Sequence, residues 1–404
     1  MKDHDLNFAN EGSFFKNKFH QTSPSFYDIK TSTGYYPNPF PVGVAIFETP
    51  WYLLAEGYIN ISRYADHNSL SGFTVIHDTF INFGNIFYGF LGLIVVYKFL
   101  RLYFNESVSL ATIFSIFFAT PLIYMTIYEA AWSHLLSFFL VSSFIYFCTA
   151  PNKVPDHVRY ILIGCLIGLC FMVRWQNILL LILVVPILFQ LFSNNKQNFI
   201  KYFAVLVISL FITISPQLIA WRILYGAYLL KPPSNTNFVY LQNPQIIPFL
   251  FSLRHGMFLW TPIYLLSLIG ICYLAKKKPR FVLPLIIFLG AELYINTSIN
   301  DWWSGYFGSR RMLDYSIIYA LGIASIMQLK IKYLKYFWNC VLFMLIAINF
   351  LLILQVARGW LTLSEPHKTH PINQVSGTSF PTPKQFLLNS QRIVKAVYRV
   401  INPF

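Results

Sequence analysis

The stretch Asn300-Asp301-Trp302-Trp303-Ser304-Gly305-Tyr306-Phe307-Gly308-Ser309-Arg310-Arg311 crowds aromatics, glycines and arginines together, with Asp314 a helical turn later. Aromatic faces suit sugar rings, glycine lets a backbone approach closely, and two guanidinium groups at the mouth of a helix bind anionic oxygens. The competing reading is an aromatic belt at a membrane boundary with snorkelling arginines. It accounts for Trp302 and Trp303 but poorly for the glycine spacing.

Arg174 interrupts an apolar stretch and forms a polar knot with Trp175, Gln176 and Asn177. A charge at that depth costs about 2.5–3.5 kcal/mol on insertion scales, so it faces a partner or a wet cavity. A fixed guanidinium there suits bidentate binding of a phosphate, and the bland alternative is an arginine snorkelling from a helix end. Glu129 and His134 flank Trp132 and read either as substrate-orienting groups or as satisfied interfacial residues. Arg254 and His255, with Lys231 ahead of them, add positive charge that helps an anion bind. Asp3 and Asp5, with Glu11, place acids near the start of the chain, as bases or as turn caps. Glu292 reads as a partner for a neighbouring arginine.

The elements that position these residues follow from composition. Of 404 residues, 56% are apolar and only 11% charged, with a mean hydropathy of +0.54, which describes a chain in a bilayer. Cys148, Cys165, Cys170, Cys272 and Cys340 fall in apolar runs without paired spacing, so a disulfide scaffold is excluded. A net charge of +15 comes in small clusters between apolar runs, as membrane topology requires, and nucleic acid drops out as a partner. Hydrophobic segments are expected at 80–100, 108–126, 132–148, 159–173, 178–192, 202–224, 258–275, 281–298, 311–328 and 336–357. The fourth and fifth meet at Arg174 and read as two crossings or a re-entrant pair.

If the segments alternate, Lys98 and Arg101, Lys153 and Arg159, Lys196 and Lys201, Lys276 to Lys278 with Arg280, and Lys330, Lys332 and Lys335 all land on one side, which becomes the cytoplasmic side. Only Glu106 and Asp156 among the acids join them, and Glu292 lies within a span. The remaining acids, with residues 1–79 and the tail 358–404, belong to the outer face. Residues 44–61, with Pro50 and Trp51, read as an interfacial helix behind a proline-rich turn. Exporting 1–79 requires a preceding helix or signal, so the natural chain is expected to begin upstream of Met1. The other possibility is a true N-out protein with a long translocated tail.

These residues together resemble the GT-C superfamily of polytopic membrane glycosyltransferases, especially bacterial relatives of protein mannosyltransferases and of the aminoarabinose transferases that modify lipid A. The carrying segments are Asp3 to Glu11, Tyr35 to Pro50, Glu129 to His134, Val173 to Asn177, His255-Gly256 with Trp260-Thr261-Pro262, and Trp302 to Arg311. The resemblance implies an all-α multi-span bundle whose extracytoplasmic first loop carries short helices. It implies transfer of a sugar from a polyprenyl-phosphate donor to an acceptor hydroxyl on a glycan, lipid or protein. It also implies a bacterial cytoplasmic membrane and an acidic base in the first loop. Asp3 and Asp5 are that base, or else they follow it and the chain is an inactive remnant.

The expected chemistry is inverting displacement, with Arg174 and Arg310 or Arg311 stabilising the departing phosphate. No metal-ligand spacing occurs, and no cofactor is expected. The rival from another class is a transporter or flippase of a lipid-linked or anionic substrate. The polar residues gather at one interface rather than through the membrane, which speaks against it.

Overall fold

The computed structural model describes residues 30–36, 38, 40–62, 74–149, 154–228, 238–253, 255–303, 307–329, 332–358 and 383–401. Asp3, Asp5, Lys231 and Arg254 lie outside them. The described residues are helical and contain no strand. The first half holds α1 (Gly43–Ser62), α2 (Val75–Leu100), α3 (Glu106–Phe118), α4 (Pro121–Tyr128), α5 (His134–Thr149) and α6 (Asp156–Val173). A 3-10 turn, Trp175–Leu180, leads into α7 (Leu181–Asn194) and α8 (Lys196–Tyr225). Two short helices follow, α9 (Ile246–Phe251) and α10 (Met257–Trp260), then α11 (Ile263–Lys277) and α12 (Pro279–Ser298). A second 3-10 turn, Arg310–Tyr315, opens α13 (Ser316–Met327), which precedes α14 (Lys332–Ala357) and α15 (Pro383–Ile401).

The chain is an all-α, multi-span membrane protein. Six helical stretches are long and apolar enough to cross a bilayer: α2, α6, 175–194, α8, α12 and most of α14. Both segments that meet at Arg174 are among them. The segment expected as one span at 108–126 is instead α3 and α4, bent by 57°. Pro121 supplies the break, since a proline inside a helix removes a backbone donor and clashes with the preceding turn. Thr120 caps the new start by accepting from Leu122 N at 3.2 Å. Three other expected spans, at α5, α11 and α13, are shorter helices of 16, 15 and 12 residues. The stretch 44–61, expected to be helical, lies in α1.

The chain divides into two units. Unit 1 comprises 1–90 and 130–238; unit 2 comprises 91–129 and 239–404. In unit 1, α1 runs antiparallel to α2: Glu48 meets Asn85, Trp51 meets Tyr88, and Glu56 meets His77. The α6–α8 pair is closed by Gly164 and Gly168, four residues apart on one face. A Cβ at Gly164 would strike Ser209 and the Leu206 carbonyl, and one at Gly168 would lie 2.8 Å from Thr213 Cβ. Lipid gives helices no hydrophobic reason to associate, so small residues that let backbones approach take over that role.

Unit 2 repeats the device at the crossing of α11 and α13. Gly270 and Gly322 face each other, and a Cβ on Gly270 would overlap the Gly322 carbonyl. Ser267 Oγ donates to Tyr319 O at 2.7 Å and Ser325 Oγ to Gly270 O at 2.8 Å, so hydroxyls lock what the glycines admit. At the far end of the chain, α15 docks on α14 through Asn389 Nδ2, which donates to Gln355 Oε1 at 3.2 Å. Its Leu387 and Leu388 stay exposed.

Candidate functional site

Each unit carries a cluster of the polar and charged side chains singled out in sequence. In unit 1 the centre is Arg174. It caps α6 with an extended backbone (φ −147°, ψ 114°) and donates its amide to Cys170 O at 2.9 Å. The α-helix ends there, the 3-10 turn Trp175–Leu180 follows, and Arg174 is half-buried. With the Gln176 amide oxygen turned to face it, that oxygen accepts from Arg174 Nη2 at 2.6 Å and Nε at 3.0 Å. Arg174 Nη1 lies 3.3 Å from the ring nitrogens of His134, the buried first residue of α5. The arginine and histidine singled out in sequence, forty positions apart, are thus in contact.

Asn177 belongs to the scaffold beneath them. Fully buried, its Nδ2 donates to Ser137 Oγ at 3.0 Å and to Cys170 O at 3.2 Å. It therefore sews the polar turn to α5 and α6. Asn177→Ala is expected to cost about 1–3 kcal/mol by orphaning those acceptors, read as a lower thermal midpoint in detergent; an unchanged midpoint would refute the role.

The start of α1 lies against the same end of α6. A Cβ on Gly43 would come within 2.5 Å of Met172 C and O, two residues before Arg174. The loop before α1 is tied to α8: Val42 N donates to Gln217 Oε1 at 2.8 Å, and Thr33 Oγ1 to Leu224 O at 2.6 Å. That anchoring carries two carboxylates which sequence reasoning gave no role. Glu48 accepts from Asn85 Nδ2 at 2.8 Å. Glu56 Oε1 lies 2.9 Å from Nε2 of the buried His77 and accepts from Tyr52 OH at 3.1 Å. Tyr52 stacks on His77 at 4.7 Å, and its phenol is pushed up to about 12, first by burial and then by the Glu56 charge. The available signal was spacing: 48, 52 and 56 share one helix face.

Burial raises the Glu48 carboxyl above its ordinary value, with the Asn85 hydrogen bond pulling the other way. A carboxyl raised in the folded state favours folding while protonated and loses that contribution as pH rises through the folded value. Glu48→Gln is therefore expected to raise the thermal midpoint at neutral pH. The gain should vanish below the ordinary carboxylate range. A variant less stable than the native chain at neutral pH would contradict this.

Unit 2 brings five of the expected residues to one narrow cleft: His255, Trp302, Trp303, Arg310 and Arg311, beside Gly308 and Ser309. Its free volume is about 10 Å³, room for about one water. Arg311 Nη2 donates to Asp301 Oδ2 at 2.8 Å, with the Asp301 side chain 41% exposed, so the pair positions more than it stabilises. Arg310 is buried at 9% exposure, and Ser309 Oγ donates to the His255 carbonyl at 2.8 Å. Glu129 caps α4 on the same unit, half-buried.

Two members of the aromatic-glycine motif serve the core instead. Phe307 is fully buried, stacked on Tyr124 at 5.1 Å and edge-on to Trp260 at 5.2 Å. Gly308 adopts φ +61°, and a Cβ there would sit 3.3 Å from Pro121 Cγ and Thr261 Oγ1, so protein occupies the approach expected for a ligand. Trp303 is half-buried and edge-on to Trp302 at 5.5 Å. Glu292 is buried within α12, where Asn296 Nδ2 donates to its Oε2 at 3.2 Å. Searches against family models, curated proteins and solved structures return no match to this chain.

Proposed function

We propose that the chain is a glycosyltransferase of a bacterial cytoplasmic membrane, moving a sugar from a polyprenyl-phosphate donor to an acceptor hydroxyl on the extracytoplasmic face. The observation that carries this reading is Arg174, a half-buried guanidinium at the end of an apolar helix, oriented by Gln176 and His134. A preoriented cation at that depth suits a phosphate whose lipid tail stays in hydrocarbon.

In the reaction, a carboxylate takes the proton of the acceptor hydroxyl as that oxygen bonds to the anomeric carbon. The bond from that carbon to the phosphate oxygen breaks, and its electron pair leaves on the phosphate, where Arg174 stabilises it. Asp3 and Asp5 are the candidates from sequence for the base. Glu48 is the candidate with known surroundings, since its burial makes it a stronger base than a solvated carboxylate.

The test is transfer from a labelled polyprenyl-phosphate sugar by the purified chain in liposomes. Covalently labelled acceptor supports the reading; its absence across a panel of lipid, glycan and protein acceptors opposes it. One observation favours a transporter, the 57° break between α3 and α4, because broken helices line many transport sites. Here, however, Asn349 Nδ2 donates to Phe118 O at 2.8 Å and Thr120 O at 3.2 Å, so a protein side chain takes the carbonyls that a substrate would need. Counterflow of unmodified substrate in the same liposomes would establish the transporter reading.

A further inference from the structure

Unit 2 also contains a cavity of about 570 Å³, within the range of small-molecule sites. Phe104 and Leu321 are buried in its wall, with Leu274 and Phe281 half-buried beside them. Lys277 and Lys278 stand exposed at its mouth. Each ammonium is held over a tyrosine that also lines the cavity: Lys277 Nζ lies 4.5 Å from the Tyr273 ring centre, and Lys278 Nζ 5.5 Å from that of Tyr103. No Asp or Glu lines it among the described residues. The lining therefore pairs an apolar interior with two positive charges at the opening.

Position narrows the ligand. The cavity borders the start of α12, and the Arg310–Arg311 cleft follows the end of that helix, a separation of about 30 Å for its length. It is therefore separate from the proposed transfer site and does not rest on that reading. Lys276, Lys277, Lys278 and Arg280 form one of the basic clusters that assign this end to the cytoplasmic side, where the leaflet presents anionic phosphates. A ligand with only a phosphate would meet the lysines and leave the apolar wall unfilled. An amphiphile satisfies both.

We propose that this cavity binds an anionic phospholipid of the cytoplasmic leaflet, its phosphate between Lys277 and Lys278 and an acyl chain along Phe104 and Leu321. The test uses the purified full chain in neutral detergent, with native mass spectrometry and thermal shift reading binding of phosphatidylglycerol, phosphatidylcholine and inorganic phosphate. Phosphatidylglycerol is expected to bind and raise the midpoint. Lys277→Gln with Lys278→Gln is expected to weaken it about thirtyfold, the effect of two lysines near an anionic surface. Lys276→Gln with Arg280→Gln removes equal charge outside the cavity lining and is expected to leave affinity unchanged. Equal weakening by both pairs overturns the site in favour of general surface attraction. Equal binding of phosphatidylcholine, or inorganic phosphate stabilising as strongly as lipid, overturns the lipid assignment.

Discussion

Arg174→Ala is expected to lower transfer from a polyprenyl-phosphate sugar by about 10²–10³-fold, the usual effect of removing one preorganised donor from a developing negative charge. The folded state should persist, because the guanidinium is half-buried and the packing beneath it rests on Asn177 and Ser137. Arg174→Lys is expected to restore little. The Gln176 oxygen meets both Nη2 and Nε, a planar fork that an ammonium cannot reproduce. The loss should fall on kcat rather than on KM alone, since the charge on the phosphate grows as the sugar leaves. Arg310→Ala, made in parallel, tests the other arginine that the sequence singled out for the phosphate. Full transfer in both variants, with melting curves matching the native chain, would remove the phosphate clamp from the mechanism.

The second large effect is structural. Gly322→Leu is expected to destabilise unit 2 by about 3 kcal/mol or more, at the upper end of overpacking costs. A side chain there would strike the Ser267 carbonyl, and backbone cannot rotate away as a side-chain tip can. Gly270→Leu should do the same from the opposite face and would also break the Ser325 hydrogen bond to Gly270 O. The control is Gly290→Ala on α12, where nothing lies within 4 Å of an added Cβ. It should be neutral or stabilising, since alanine is the better helix former by about 1 kcal/mol. Thermal melts in one detergent decide the matter, and equal midpoints for Gly322→Leu and Gly290→Ala would show that the crossing does not depend on close backbone approach.

Two of the polar groups that meet in unit 1 were legible in the sequence. Arg174 stood out because a charge inside an apolar run must be accommodated, and its partner His134 was visible as another polar group at a boundary. The α1/α2 seam was not legible in the same way. Glu48 and Glu56 lie in an ordinary-looking amphipathic stretch, and only their placement against Asn85 and His77 singles them out. Phe307 and Gly308 show the opposite failure. Their types suggested contact with a sugar, while Tyr124, Trp260, Pro121 and Thr261 occupy the space around them.

Composition and hydropathy alone determined that this is a helical membrane protein, where most of its apolar segments lie, and which polar groups gather near their ends. They did so because the free energy of moving a residue from water to hydrocarbon is a property of the residue and its neighbours in the chain. Which helix face meets protein, how the chain divides into two units, and whether a motif residue serves a ligand or the core were decided by tertiary packing. Inside a bilayer the lipid-facing and protein-facing sides of a helix are both apolar, so the periodicity that separates them in water is lost. The choice falls instead to shape, through glycines such as Gly164 and Gly322, and to hydrogen bonds between residues far apart in sequence, such as Asn177 with Ser137.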